Sequence, residues 1–296
     1  MSLVLRVLMI ERENFNLISD VILVDNNSTD NSILIAKQFD VEVSSCDGNV
    51  AKVRNFGAAI AQGEFLCFVD SDVQVMSGWS KAIADLIEEA GEARHNLVCG
   101  NVYGIPTNAT WVERVWYKSL VNRKRAKYIN GGNFAISSQL FRTLAGFDET
   151  LIWYEEVDLC KRAARLGGAI RIDDRIQTIH YGYPKNLSSF FRRERRLGIG
   201  AIDNKLQVHS SKSLLLAAAT FFFPILLAIA LLASIELAVA LVIIAFGASY
   251  LACSIRLRQY FSAQPLKLAL LFAVYGVARL QAMIDRARPT VTVTQR

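Results

Sequence analysis

Short apolar runs ending in Asx, Ser or Gly residues alternate with segments of helical periodicity along the first 200 residues. The predicted order is strand and polar loop at 20–32, helix at 33–39, strand at 41–45, helix at 50–62, strand at 64–72, helix at 78–90, strand at 97–104, helix at 111–128, strand then helix at 131–147, helix at 154–168 and strand at 169–173. Alternating strands and helices indicate an α/β fold with a largely parallel sheet covered by helices on both faces.

The last third of the chain loses this alternation and becomes continuously apolar. Residues 214–233 and 237–253 carry no charged side chain, and each is about as long as a helix that crosses a bilayer. The pattern predicts a transmembrane helical hairpin at 214–253, because helices buried in a soluble core rarely lack charge over such a length. A shorter apolar run at 268–278 fits either a third span with snorkelling ends or a helix lying in the membrane interface.

The net charge of +6 is concentrated near the C-terminus. Residues 1–213 carry 26 Lys and Arg against 25 Asp and Glu, a net charge of +1, whereas residues 214–296 carry 7 against 2, a net charge of +5. The basic residues beside the apolar runs predict that the N-terminal region faces the cytoplasm. They are Lys205, Lys212, Arg256, Arg258 and Lys267. No motif supports nucleic-acid binding.

The five cysteines argue against a disulfide framework and against a zinc site. They are odd in number, scattered and without CxxC spacing, which agrees with a reducing compartment. Residues 2–10 are apolar but lack the basic start and the small-residue cleavage site of a signal peptide.

Carboxylates stand where two apolar strands end. Asp70 and Asp72 follow the run FLCFV, and Asp25 follows the run VILV. Ligands of α/β sheets bind beyond the carboxyl ends of strands, and paired carboxylates suit Mg or Mn that also holds phosphate. The alternatives are a solvated loop for the Asp70–Asp72 pair and a helix cap for Asp25.

A third acidic group, Glu155, Glu156 and Asp158, begins the helix at 154–168. Acidic side chains at a helix N-terminus complement its dipole, so a structural role is one interpretation. The other is that one carboxylate acts as a general base toward a hydroxyl group, with its pKa raised by its neighbours.

Four motifs carry these residues. They are VILVDNNSTDNS (21–32), GEFLCFVDSDV (63–73), GGNFAISSQLFRTLAGFDE (131–149) and WYEEVDLCKRAARLG (153–167). In order and approximate spacing they resemble the family 2 glycosyltransferases over roughly residues 15–200. The resemblance implies a GT-A fold, which is a Rossmann-like mixed α/β sheet with helices on both faces, and a nucleotide-sugar donor.

The resemblance also implies roles for individual residues. Asp25 would contact the nucleoside, and Asp70 and Asp72 would bind the divalent metal, Mg or Mn, and the donor's diphosphate. Glu155 and Glu156 match the acidic pair that supplies the catalytic base, where the second position is usually Asp. The implied reaction inverts the anomeric centre without a covalent enzyme intermediate.

A basic stretch at 180–200 matches the region that follows in membrane-attached members. His180 is a candidate metal ligand, and Arg192, Arg193, Arg195 and Arg196 are candidates for holding phosphate, with Arg193 and Arg196 preferred. A structural His180 and a solvated or membrane-surface basic helix are the alternatives. The Gln-x-x-Arg-Trp motif of processive synthases is absent from the sequence, which argues against processive synthesis.

The chain departs from the family at its start. Family members begin with a strand of the type V-S-V-I-I-P-x-Y-N and a helix before the strand that matches VILVD. Here SLVLRVLMIERENFNLIS is predicted to be that helix alone. The sequence therefore predicts a shortened start without the first strand, or else Leu3–Ile10 as a substitute strand.

These observations predict a GT-A domain at 1–200, a linker at 201–213, the helical hairpin at 214–253 and a basic loop, third helix and tail at 254–296. The predicted function is sugar transfer from a nucleotide donor to a lipid-linked or polysaccharide acceptor at the cytoplasmic face of the cell membrane. The alternative is a catalytically degenerate module that serves as a membrane-bound binding or assembly partner.

Overall fold

A computed structural model describes residues 1–117, 129–203, 226–257 and 264–287. The chain divides into two compact units. The first comprises Met1–Thr107 and Val121–Gly182, and the second comprises Asn108–Leu120 and Tyr183–Arg296. All the predicted acidic site residues belong to the first unit.

The first unit contains eight strands and six α-helices among its described residues. In chain order they are α1 (Ser2–Phe15), β1 (Ile22–Asp25), α2 (Ser32–Ala36), β2 (Glu42–Ser45), α3 (Val50–Ile60), β3 (Phe65–Val69), β4 (Val73–Val75), α4 (Trp79–Ala90), β5 (Leu97–Gly100), β6 (Asn133–Ser137), α5 (Ser138–Thr143), α6 (Glu155–Arg165), β7 (Ala169–Ile172) and β8 (Thr178–His180). A 3-10 helix at Gly91–Asn96 leads into β5.

The sheet is mixed, so the prediction of a largely parallel sheet is wrong. The main sheet has the order β3-β6-β5-β7, and β6 runs antiparallel to both neighbours. Strands β5 and β7 pair in parallel, as do β1 and β2 in a separate two-stranded sheet. Alternation of strands and helices predicts a strand at β6 but not its direction, which is defined by nonlocal pairing with β3 and β5. The mixed GT-A sheet implied by the family resemblance is the correct description.

Two apolar clusters cover the two faces of the main sheet. Side chains alternate along each strand, so Val98 and Ile136 face one cluster while Leu97 and Ala135 face the other. The first cluster contains residues of α3, α5 and α6, and the second contains residues of α1 and α4. This packing fixes the strand ends from which the acidic side chains project.

Helix α1 confirms the prediction of a helix near the N-terminus and excludes Leu3–Ile10 as a strand in this structure. Val4 and Leu8 pack against the α4 side of the core. Glu11 continues the same buried face and caps the neighbouring helix. Its carboxylate accepts hydrogen bonds from the backbone N–H of Gly78 (2.8 Å) and from the N–H and hydroxyl of Ser80 (3.0 and 2.9 Å).

Replacing Glu11 with Gln is expected to lower the free energy of unfolding by about 2 kcal/mol, since a buried charged acceptor at a helix N-terminus is lost. Urea denaturation measures the change. Glu13→Gln on the exposed face of the same helix is the matched control and should cost less than about 0.5 kcal/mol. Equal losses in the two variants would contradict the capping role.

The second unit is helical where it is described. It contains a π-helical segment (Glu113–Tyr117), α7 (Leu187–Asp203), helical residues 226–233, α8 (Ile235–Leu257) and α9 (Pro265–Ala287). Buried Arg279 of α9 donates to Glu194 of α7 at 2.7 Å. The described part of the predicted helix at 111–128 is helical, with α-helical residues 111–112 and a π-helical segment at 113–117, and residues 118–128 lie outside the described residues. The predicted domain boundary at 200/201 falls within α7.

Among the described residues, one helix is long and apolar enough to cross a membrane, and it is α9, with half of its most apolar stretch buried. A shorter apolar stretch covers Ile235–Ala248 of α8. Most of the first predicted span, 214–225, lies outside the described residues. The predicted hairpin therefore stays a prediction.

Candidate functional site

Asp70 and Asp72 lie on the tight turn that joins β3 to β4. The N–H of Val73 donates to the carbonyl of Asp70 at 2.9 Å and closes the turn. Val69, which ends β3, is partly buried and Val73, which begins β4, is fully buried, so the two carboxylates lie on a turn between two apolar residues. The carboxylate of Asp70 is 36% exposed and that of Asp72 is 46% exposed.

The short strands β4 and β8 bring Asp72 and His180 together. They pair antiparallel with Val73 opposite His180, and the N–H of Tyr181 donates to the carbonyl of Asp72 at 2.9 Å. The Nε2 atom of His180 lies 3.5 Å from Oδ2 of Asp72. The sequence placed these two residues 108 positions apart, and only this pairing makes them neighbours.

Arg54 of α3 joins Asp70 to the acidic start of α6. Its Nη2 atom lies 2.6 Å from Oδ1 of Asp70, and its Nη1 atom lies 2.6 Å from Oε1 of Glu155. The side chain of Arg54 is 11% exposed and that of Glu155 is 7% exposed. Burial opposes the guanidinium charge, but the two carboxylates outweigh burial and raise the pKa of Arg54.

Tyr103 connects the two halves of the acidic site. Its hydroxyl accepts the N–H of Gly132 at 2.7 Å and donates to Oδ2 of Asp70 at 3.3 Å. Its ring stacks on the imidazole of His180, with centroids 4.8 Å apart and planes at 8°. Tyr103 therefore restricts the orientation of both Asp70 and His180.

Three glycines leave room for these side chains. A Cβ atom at Gly131 would lie 2.5 Å from Nη1 of Arg54, and one at Gly132 would overlap the Asp70 carboxylate. A Cβ atom at Gly182 would overlap the carboxylate of Asp72. The glycines are needed for close packing against site side chains, which accounts for the Gly-Gly pair in the motif GGNF.

Gly132→Ala is expected to displace the Asp70 carboxylate and to lower kcat/KM about 10- to 100-fold, because a small displacement of a positioned group is costly. Tm should fall as well, because the added Cβ would lie 2.7 Å from the Cβ of Asp70 and a displaced Asp70 loses part of its ion pair with Arg54. Gly247→Ala in α8, where an added Cβ meets nothing within 4 Å, is the matched control. Wild-type kinetics in Gly132→Ala would show that the position of Asp70 is unimportant.

Glu156 follows Glu155 at the start of α6 and is partly exposed. Tyr154, which precedes the pair, has a left-handed backbone (φ 67°) that turns the chain into the helix. Burial, and then the charge of Glu155, raises the pKa of Glu156 to about 8. Burial also raises the pKa of Glu155, although Arg54 opposes that shift. Glu156 thus has the properties of a general base near neutral pH.

The structure places Asp25 at the end of β1, as predicted. The carboxylate is buried, and its Oδ2 atom accepts the N–H of Ser28 at 3.1 Å. The N–H of Ser32 at the start of α2 donates instead to Oδ1 of Asp30 at 2.9 Å. Asp25 is therefore not the cap of α2, and its contact with a nucleoside stays a prediction.

Arg193 and Arg196 lie on α7 of the second unit. The Arg193 guanidinium lies over the rings of Tyr117 and Tyr183, at 5.1 and 5.4 Å from their centroids. Nearby Arg195 pairs with Asp285, and Arg192 donates to Ser188. The phosphate-binding role of Arg193 and Arg196 stays a prediction.

A divalent metal fits the chemistry of Asp72 and His180. Within the described part of the chain, no group of three or more His, Cys, Asp or Glu side chains could hold a metal ion. Two protein donors suffice for Mg or Mn when substrate phosphates and water supply the remaining ligands. Both oxygens of Asp70 already have protein partners, Arg54 and Tyr103, so Asp70 is a weaker candidate for a metal ligand than Asp72.

Sequence reasoning missed Arg54 and Tyr103. Arg54 lies in the middle of a predicted helix, where a basic residue usually faces solvent, and Tyr103 lies in a predicted strand end. The predicted acidic residues did indicate that a partner was needed, because buried carboxylates require a cation or hydrogen-bond donors. The sequence could not say which of 33 Lys and Arg residues supplies it.

Known proteins include several that are similar to this chain in sequence. The sequence model described as Glycosyl transferase family 2 matches residues 9–145. Glycosyltransferase AglE of Haloferax volcanii is 27% identical over 198 residues, covering 62% of each chain. The pre-mycofactocin glycosyltransferase of Mycobacterium tuberculosis is 26% identical over 171 residues, covering 52% of this chain and 35% of the relative. The chain therefore spans less than two thirds of the length of either relative.

A solved structure shows the same fold. The mannosyltransferase PcManGT from Pyrobaculum calidifontis, in complex with GDP-Man and Mn2+, superposes with a TM-score of 0.62 at 14% sequence identity, covering 95% of this chain and 84% of that one. At this level of sequence identity, the similarity shows a shared fold only. Together with the match over residues 9–145, it shows that this chain contains a region similar to the family 2 glycosyltransferases and has a GT-A fold.

Proposed function

We propose that this chain is an inverting glycosyltransferase that moves one sugar from a nucleoside-diphosphate donor to an acceptor hydroxyl. The observation that carries the proposal is the clustering of Asp70, Glu155 and Arg54 beside the Asp72–His180 pair, with Glu156 at the edge of that cluster. One part of the site suits a diphosphate and its metal, and the other suits an acceptor. The match of residues 9–145 to the family model and the donor named for PcManGT support this division.

In the proposed reaction, the Glu156 carboxylate takes the proton of the acceptor hydroxyl. The acceptor oxygen forms a bond to the anomeric carbon as the bond from that carbon to the diphosphate oxygen breaks. The electron pair of that bond leaves with the nucleoside diphosphate, and the anomeric configuration inverts. Glu156 then releases the proton to solvent.

Asp72 and His180 would hold the divalent metal, whose chemical contribution is to neutralise the charge of the leaving diphosphate. Asp70, held by Arg54 and Tyr103, would face the donor. Asp25 would contact the nucleoside, and Arg193 and Arg196 would hold phosphate charge. These assignments extend the family resemblance to the positions that match it.

We place the acceptor at the cytoplasmic face of the cell membrane, as a lipid-linked sugar or a growing polysaccharide. Support comes from the apolar helices α8 and α9 and from the basic residues beside them. A membrane anchor keeps the site close to acceptors that cannot leave the bilayer.

The test is a donor panel presented to the chain in membranes with Mn2+ or Mg2+. UDP-, GDP- and dTDP-sugars are compared by release of nucleoside diphosphate and by calorimetric binding. Metal-dependent binding and turnover of one donor is the expected result, and NMR of the product should show the inverted anomer. Donor binding without turnover, or no binding of any donor, would overturn the proposed activity and favour a degenerate binding module.

A further inference from the structure

We propose that Arg54 is a positioning residue that ties the donor-side carboxylate of Asp70 to the acceptor-side carboxylate of Glu155, so that Glu155 is an anchor and Glu156 alone meets the acceptor. The proposal deepens the proposed function and rests on it for its kinetic part. It assigns Glu155 and Glu156 different tasks, although they are adjacent and chemically identical.

The geometry of the guanidinium carries the inference. Two different nitrogens of Arg54 reach two different carboxylates, each at 2.6 Å, across sequence separations of 16 and 101 residues. A planar guanidinium with fixed donor directions can hold both partners at once, which a lysine ammonium on a flexible stem does poorly. Movement of either carboxylate therefore moves the arginine that holds the other.

The surroundings fix Arg54 in this bridging position. Gly131 lies directly against the guanidinium, since a Cβ atom there would stand 2.5 Å from Nη1, and the ring centroid of Phe147 lies 5.7 Å from the guanidinium carbon. The next residue of α3, Asn55, exchanges hydrogen bonds with the backbone of Phe147 in both directions, at 2.9 and 2.8 Å. Helix α3 is thus locked to the loop that precedes α6, and the bridge is held from both ends.

The Arg54 bridge also gives the two glutamates different environments. Arg54 donates to Glu155, whose side chain is 7% exposed, so this carboxylate is turned inward and engaged. Glu156 lies outside the ion pair and is more exposed. The acceptor hydroxyl is therefore assigned to the second carboxylate and not to the first.

The kinetic test compares Arg54→Lys and Arg54→Ala with the wild type in membranes. Arg54→Lys keeps the charge but should lose the double contact, so kcat should fall about 10- to 100-fold while the donor KM changes less than about 3-fold. Methylguanidinium, added at a concentration too low to unfold the chain, should restore part of the kcat of Arg54→Ala. A lysine variant with wild-type kcat, or equal changes in kcat and KM, would overturn the proposal.

The matched control is Arg162→Lys. Arg162 holds three partners, which are Asp158 at 2.6 Å and the carbonyls of Leu144 at 2.5 Å and Gly146 at 2.9 Å. None of these partners is Asp70, Glu155 or Glu156. This variant should lose stability and keep the wild-type kcat. A similar fall in kcat in both arginine variants would mean that the effect of Arg54 is only structural.

A second measurement requires no enzymatic activity and therefore separates this inference from the proposed function. Arg54→Ala leaves two carboxylates without their cation and should lower Tm by about 5 °C or more. Glu155→Gln should lower Tm in the wild-type background but raise it in the Arg54→Ala background. If the Tm changes of the two substitutions are additive, the bridge is overturned even when sugar transfer is confirmed. If the Tm changes are coupled but the chain shows no transferase activity, only the proposed function is overturned.

Discussion

Glu156→Gln is expected to lower kcat by about 10²- to 10⁴-fold, because the amide has the shape of the carboxylate but cannot accept the acceptor's proton. Donor affinity should be unchanged, since Glu156 lies outside the ion pair that holds Asp70. Steady-state transfer kinetics and calorimetric donor binding measure the two effects. Glu156→Asp, the residue usual at this position in the family, is the matched variant and should keep part of the activity. A fully active Gln variant would exclude Glu156 as the base.

The same residue predicts the pH dependence. Its pKa is raised to about 8, and the base must be deprotonated, so kcat should rise with pH through about 8 and then level off. Stability should change with pH in the opposite direction to kcat. The unfolded carboxyl group ionises near 4.5, so the wild type loses stability as pH rises from about 4.5 to 8.

Glu156→Gln removes this loss of stability. At pH 9 it should be more stable than the wild type by about 1–2 kcal/mol, well below the full value of the shift because the side chain is partly exposed to screening solvent. At pH 4 the two proteins should unfold at the same temperature. Identical stability at both pH values would contradict the raised pKa.

Asp72→Asn is expected to abolish most metal-dependent turnover, with kcat lower by about 10²- to 10³-fold, because neutralisation of the leaving diphosphate is worth several kcal/mol. Asp72 fits the metal better than Asp70 does, since its carboxylate adjoins His180 Nε2 at 3.5 Å. Mn2+ titration in the presence of nucleoside diphosphate should show weaker binding in the variant.

The control for this prediction is Asp40→Asn. Asp40 is 90% exposed and pairs with Arg12, which is not a predicted site residue. Its replacement should leave both kcat and metal binding unchanged. If Asp72→Asn also leaves metal binding unchanged while activity falls, Asp72 acts on the donor without a metal.

The elements of the first unit are largely visible in the sequence. The helix at the N-terminus, the strand ends that carry Asp25 and Asp70, and the helix that begins with Glu155 are all confirmed. Local sequence determines these because apolar periodicity and helix-starting residues act within a few positions. The short strands β4 and β8 escaped prediction, since three residues carry too little pattern and their pairing is nonlocal.

Sequence alone determined where the acidic residues of this candidate site stand along the chain, since the carboxylates at strand and helix ends follow from local pattern and from motif resemblance. Only the tertiary structure decided their grouping. It paired Asp72 with His180, supplied Arg54 between Asp70 and Glu155, and reversed the direction of β6. The physical reason is that charge compensation and strand pairing in a buried site depend on distances in space, and partners 101 or 108 residues apart leave no local signal.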